Sequence, residues 1–155
     1  VDADQLLADA ALEASPVVAN NAMNRLRGLR GANSYAKELG FDPVELLRAL
    51  PSVPSWLDLC CGRGRVLIEA AAAFGERAAT LVGVDLVEFF DPVPGDRARL
   101  VAESVTRFAP SRTFDLIACV HGLHYVGDRL GVLSRSASWP ASVRSHYVRE
   151  PACAR

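Results

Sequence analysis

The stretch Trp56 to Arg65, WLDLCCGRGR, holds the residues best suited to cradle a ligand. Trp56, Leu57 and Leu59 are apolar, Asp58 interrupts them, and Gly62 and Gly64 free the backbone before the helical pattern VLIEAAAAF begins. Strand, glycine loop and helix in succession form the pattern of a nucleotide site. Small residues let a ligand approach the main chain, and the first amides of the following helix are unpaired donors with partial positive charge. An anionic or strongly polar ligand is expected there. Asp85 lies 21 residues beyond Gly64, at the end of the apolar run TLVGV, where doubly wound folds place the carboxylate that accepts from a ribose diol. Two charge-assisted hydrogen bonds of roughly 1.5–3 kcal/mol each would make it a main anchor. His121 and His124 follow the most apolar run, FDLIACV, and either could act as a base near neutral pH.

These groups need a scaffold, and 155 residues with half of them hydrophobic suffice for one domain with a real core. The net charge of −1 leaves no basic excess for nucleic acid. Four cysteines, Cys60, Cys61, Cys119 and Cys153, include an adjacent pair and no CxxC spacing, so neither a disulfide framework nor a zinc ribbon is indicated. A reduced, cytoplasmic protein fits this usage. The start lacks the basic n-region of a signal peptide, and no apolar run approaches the roughly 18 residues of a membrane span.

Apolar spacing predicts a helix from Asp4 to Glu13 and a second from Pro16 toward Gly28. Two short helices follow, one ending at Gly40 as a C-terminal cap and one opening at Asp42-Pro43. Asn33, Ser34 and Tyr35, at the start of the first, are candidates for a lid over the ligand; the blander role is surface capping, with Tyr35 filling the seam between helix and sheet. Beyond the connector Pro51 to Pro54, the pattern predicts a helix from Val66 to Phe74 and a strand from Thr80 to Val84. A mostly irregular crossover from Glu88 to Arg97 leads to a third strand, Ala98 to Ala102, and Phe114 to Val120 is the fourth.

A dinucleotide fingerprint would require a third glycine where Leu67 stands, which disfavours a dehydrogenase. LDLCCGRG at 57–64, VGVD at 82–85, Glu103 before FDLI, and FDLIACVHGLHYV at 114–126 together resemble the motifs of class I S-adenosylmethionine-dependent methyltransferases. The resemblance spans about Ser52 to Trp139. It implies an α/β fold, a partial Rossmann-like doubly wound parallel sheet of about four strands in the order 3-2-1-4, under an N-terminal helical cap formed by 1–51. It also implies S-adenosyl-L-methionine as cofactor. The turn from Asp58 through Cys60 and Gly62 to Gly64 would hold the methionine part and the ribose. Asp85, with Leu86 beside it, would take the ribose hydroxyls, Glu103 and Ser104 would flank the adenine edge, and Val120 and His121 would line the cofactor, with Tyr35 over it. Carboxylates suit an ammonium and hydroxyl donors, and a cofactor without pyrophosphate needs only glycines that clear the backbone.

Cys60 stands where the family usually has glycine, and a left-handed backbone there would cost roughly 1–2 kcal/mol. Methyl transfer from a sulfonium chiefly needs alignment in an enclosed site, so no catalytic residue is required beyond His121 or His124 as a possible base. If strands one and four are neighbours, Cys60, Cys61, Cys119 and His121 could approach one another as zinc ligands, but adjacent cysteines on a strand point to opposite faces. No metal is expected.

The stretch 140–155 shows neither helical period nor strand alternation and reads as an irregular tail. Three further strands of a complete class I enzyme are missing, so the sequence reads as a truncated methyltransferase, or a non-catalytic remnant that binds the cofactor at most. An uncovered fourth strand would invite self-association. HGLH replaces the tetrapeptide of base-directed enzymes, which leaves a small-molecule acceptor as the expected partner, with neither nucleic acid nor membrane.

Overall fold

The computed structural model describes residues 27–139 and the backbone of 146–149; the helices expected over 4–13 and from Pro16 lie outside these, apart from the residues next to Gly28. A parallel sheet forms the centre: β1 (Ser55–Leu59), β2 (Thr80–Asp85), β3 (Arg99–Ala102), β4 (Leu116–Val120) and β5 (His146–Arg149), in the order 3-2-1-4-5. The order 3-2-1-4 agrees with the expectation. The helices are α1 (Tyr35–Leu39), α2 (Pro43–Arg48), α3 (Arg65–Phe74) and α4 (Arg129–Ser136).

Every residue of β1 and of β4 is buried, as a strand covered on both faces must be. Alternation divides the core into two layers. Trp56, Leu116, Ala118 and Val120 face α1, α2 and α3 through Tyr35, Leu39, Val44, Leu47, Leu67, Ala70 and Phe74. Leu57, Leu59, Ile117 and Cys119 face the other side, with Phe114, Leu123, Val126 and Val132 of the segments around α4. By the same alternation Asp58 belongs to the face that α1 covers.

The local signals act as expected at the caps. Gly40 closes α1 in the left-handed region (φ 79°), and Gly75 ends α3 (φ 62°). Asp42 caps α2, accepting from the amides of Val44 (2.9 Å) and Glu45 (3.2 Å) and from Arg30 Nε (2.6 Å). Burial pushes the Asp42 carboxyl up, but the Arg30 guanidinium and the two amides outweigh it and hold it below its ordinary value. Asp42→Ala is expected to cost about 1–2 kcal/mol in urea unfolding at neutral pH. A depressed carboxylate stabilises above its unfolded pKa, about 3.9, and that stability is lost as pH falls through the folded value, so the deficit of the variant should shrink in acid.

The end of the chain departs from expectation. Within the stretch read as irregular, His146–Arg149 forms β5, paired in parallel with β4 from Ile117↔His146 to Val120↔Arg149. The free edge expected on the fourth strand is therefore occupied, which removes the argument for self-association through it. A run of four residues is too short for strand alternation to show in the sequence. The expected third and fourth strands begin slightly later than predicted, at Arg99 and Leu116.

Candidate active site at the ends of β1, β2 and β4

The glycine turn leaves β1 through alternating left-handed positions: Cys60 (φ 59°), Gly62 (φ 61°) and Gly64 (φ 76°). It is pinned to the end of β2 by two bonds, Cys61 N–H to the Val84 carbonyl (3.0 Å) and Gly62 N–H to Asp85 Oδ2 (2.8 Å). Gly64 then caps α3, and a Cβ there would come within 2.5 Å of Leu100. Asp85 also accepts from the Val87 amide (3.3 Å), and its carbonyl accepts from Glu103 N–H (2.9 Å), which brings the ends of β2 and β3 together.

Asp58 is fully buried. Its Oδ2 accepts from the Tyr35 hydroxyl (2.8 Å), while Oδ1, also buried, has no hydrogen-bond partner. Burial pushes the Asp58 carboxyl well above its usual range; the Tyr35 bond opposes this and the nearby Asp85 adds to it. Burial, with Asp58 beside it, likewise raises the Tyr35 phenol, so Tyr35 remains a donor. The Tyr35 ring packs edge-on against Trp56 with centroids 6.1 Å apart. Tyr35 thus fills the helix-to-sheet seam, and Ser34 caps α1 by accepting from Lys37 N–H (3.3 Å). Tyr35→Phe should cost about 1–3 kcal/mol in chemical unfolding, because it strips the buried carboxyl of its donor.

Cys60 carries the cost foreseen for a left-handed non-glycine residue, and the fold makes room for it at residue 122. A Cβ built on Gly122 would lie 2.1 Å from Cys60 Cβ and 2.6 Å from its sulfur. Contact with the Cys119 thiol, then burial, raises the Cys60 thiol; burial and the two acids, Asp58 and Asp85, raise Cys61. Both thiols are therefore neutral and poor nucleophiles. Among the described residues no group of three or more His, Cys, Asp or Glu side chains is arranged to hold a metal ion.

His121, at the end of β4, is also left-handed (φ 57°) and mostly buried, with Nε2 3.2 Å from Glu38 Oε1 of α1. Glu38 in turn lies 3.3 Å from Arg27. Burial alone would raise the Glu38 carboxyl, but His121, Arg27 and Lys37 together lower it. Val120 is buried beside this pair, and Leu86 is half-buried after Asp85. Ser104 is buried, and its hydroxyl is engaged within its own turn, with Thr106 Oγ1 at 2.7 Å and Thr106 N–H at 3.2 Å. His124 is exposed on a 3₁₀ turn, stacked against Tyr125 at 3.9 Å, apart from the buried cluster.

Several contributors were not visible in the sequence. Arg63 of the glycine turn binds Asp91 (Nε to Oδ1, 2.7 Å), accepts at its carbonyl from Asp91 N–H (2.9 Å), and lies over the Phe89 ring at 5.5 Å. This ties the crossover after β2 to the turn. Glu38 and Gly122 were missed as well, because their partners lie 83 and 62 residues away in sequence.

The arrangement suits a particular ligand chemistry. Its acids, Asp58 and Asp85, present acceptors, one of them an orphaned buried oxygen, to ammonium or hydroxyl donors. Arg63 of the turn is paired with Asp91, and Arg65 at the start of α3 with Glu69. A cavity of about 450 Å³ lined by Phe74, Arg77, Leu81 and Arg97 opens at the opposite end of the sheet, near the start of β2. Ligands of open parallel sheets bind outside the carboxyl ends of the strands, which places the site at the glycine turn and not at that cavity.

The profile of a family described as a methyltransferase domain matches residues 32–142. No curated protein sequence matches the chain. Among solved structures, the magnesium protoporphyrin IX methyltransferase of Synechocystis PCC 6803, with bound S-adenosylmethionine, is 17% identical, with 91% of this chain and 75% of that one covered and a TM-score of 0.57. A plantazolicin methyltransferase in complex with a pentazolic desmethylPZN analog and S-adenosylhomocysteine is 15% identical over 85% of this chain and 49% of its own, with a TM-score of 0.56. An amino pentose methyltransferase from Micromonospora echinaspora is 23% identical over 70% of this chain and 47% of its own, with a TM-score of 0.52. The chain thus spans less than half the length of the latter two, and at these identities the likeness concerns the fold. With the profile covering most of the chain, the protein belongs to the methyltransferase-domain family.

Proposed function

We propose that the protein binds S-adenosyl-L-methionine at the glycine turn and transfers its methyl group to a small-molecule acceptor. The observation that carries this reading is the buried Asp58 with its unpartnered Oδ1, set beside Asp85 where strands 1 and 2 end. When bound, the cofactor supplies an activated methyl group. In this reading Asp58 takes the α-ammonium group, Asp85 the ribose hydroxyls, and the glycines at 62 and 64 let the ligand approach the backbone. Glu103 and Leu86 border the adenosine, and Val120 and His121 close the side next to β4. Segment 52–139 is the cofactor-binding core, with 1–51 as its cover, and Tyr35 seals the methionine end. Neither histidine is given a proton-transfer role, since His121 Nε2 faces Glu38 and His124 is exposed.

The small acceptor is supported by neighbours of the same fold, which act on an amino pentose and on magnesium protoporphyrin IX. A cytoplasmic location is supported by the three described cysteines, which are free thiols. No described helix is long and apolar enough to cross a membrane. A second reading is cofactor binding without transfer, in which neither His121, facing Glu38, nor the exposed His124 serves as a base. Calorimetric titration with S-adenosylmethionine, alongside NADH, tests the first claim: binding of the former alone is expected, and binding of NADH alone would refute it. A methyl-transfer assay against a panel of amines, hydroxyls and carboxylates then separates the two readings.

A further inference from the structure

Asp58 combines complete burial, a single hydrogen bond and an unpartnered oxygen. Among the described residues, the titratable groups that act on it or feel it are the Tyr35 phenol of α1, Asp85 at the end of β2, and the Cys60 and Cys61 thiols of the turn. All are acids. Basic side chains elsewhere in the described fold have their own acidic partners: Arg27 and His121 lie against Glu38, and Arg63 against Asp91. An ionised carboxylate held out of water without a cation costs several kcal/mol, and such a group neutralises instead. The direction of the Asp58 shift agrees, with burial as its main cause.

We propose that Asp58 is a carboxylic acid in the free protein and surrenders its proton to solvent when a ligand's α-ammonium group arrives, so that cofactor binding is coupled to proton release. The inference rests on the S-adenosylmethionine reading of the site and deepens it. The Asp58 O–H bond breaks, its proton passes to the buffer, and an ammonium–carboxylate pair forms; no bond in the ligand changes. Below the pKa of the free protein's Asp58, affinity should fall about tenfold per pH unit, because the proton must first be displaced, and above it affinity should level off.

The test is calorimetric titration of the full chain with S-adenosylhomocysteine between about pH 5 and pH 8, in buffers of different ionisation enthalpy. In parallel, 5′-methylthioadenosine is titrated, which keeps the adenosyl thioether and lacks the amino acid. S-adenosylhomocysteine is expected to release up to about one proton at the acid end, declining as pH rises, and 5′-methylthioadenosine none. Asp58→Asn, checked for folding by near-ultraviolet circular dichroism, should abolish the release. If S-adenosylhomocysteine binds with a heat independent of buffer, or if both ligands release protons equally, the inference is wrong while the binding site stands. If neither ligand binds, the assignment of the site falls and the inference with it.

Discussion

Gly122→Ala should destabilise the protein by about 3 kcal/mol or more, and Cys60→Gly in the same chain should restore most of that loss. Gly122 has φ −109° and ψ −31°, a conformation open to any L-residue, so alanine meets no backbone penalty there. The obstacle is Cys60, whose Cβ would lie 2.1 Å from the new methyl. Both atoms sit one bond from the main chain, so no rotamer change relieves the clash, and a turn or a strand end must move. With glycine at 60 the main obstruction disappears, leaving the Cys119 sulfur at 3.4 Å, a contact that a small shift absorbs. Cys60→Gly alone should stay within about 1 kcal/mol of the parent, since relief of roughly 1–2 kcal/mol of left-handed strain offsets lost packing and a more flexible unfolded chain. Melting temperatures of the four variants close the cycle. A tolerated Gly122→Ala with Cys60 in place would refute the interlock.

The second large effect concerns affinity. Asp85→Ala is expected to weaken S-adenosylhomocysteine binding at least about a hundredfold, the equivalent of about 2.7 kcal/mol, since two hydrogen bonds to a charged acceptor are lost. The same carboxylate holds Gly62 N–H at 2.8 Å, so the substitution also frees the turn that shapes the site. Asp85→Asn keeps an acceptor for Gly62 without the charge and should fall between the parent and the alanine variant. Asp91→Ala, which releases only the Arg63 tie, serves as a control for loosening of the crossover and should cost much less. Unchanged affinity in Asp85→Ala would show that the carboxylate only props up the turn.

Features set by neighbouring residues were legible in the sequence. The step from WLDL to glycine and then to an alanine-rich helix, the Asp42-Pro43 start and the Gly40 and Gly75 ends are fixed by steric and capping rules acting over a few positions. The strand order came from motif resemblance, and the position of Asp85 from its distance to Gly64. Contacts between remote elements were not legible. Nothing local to Tyr35 announces its bond to Asp58, 23 residues on; the sequence offers Ser34 and Tyr35 as lid or capping residues, with Tyr35 in the seam between helix and sheet, and names no partner for its hydroxyl. Arg63 looks like a solvent-facing spacer between two glycines until Asp91 is brought across. The cysteine at 60 looks like a defect in the glycine pattern. Only the fold shows that the space it needs is conceded at Gly122. β5 escaped detection because a pairing of four residues draws its stability from β4 more than from its own pattern.

The central claim is that the ends of β1 and β2 form a site for an adenosyl amino acid, with Asp58 and Asp85 as its two polar anchors. A crystal structure of the protein grown with millimolar S-adenosylhomocysteine tests this directly. The account predicts the ribose hydroxyls within hydrogen-bond distance of Asp85 and the α-ammonium at Asp58 Oδ1. A ligand seated elsewhere, or one whose amino group turns away from Asp58 and whose ribose turns away from Asp85, would contradict it.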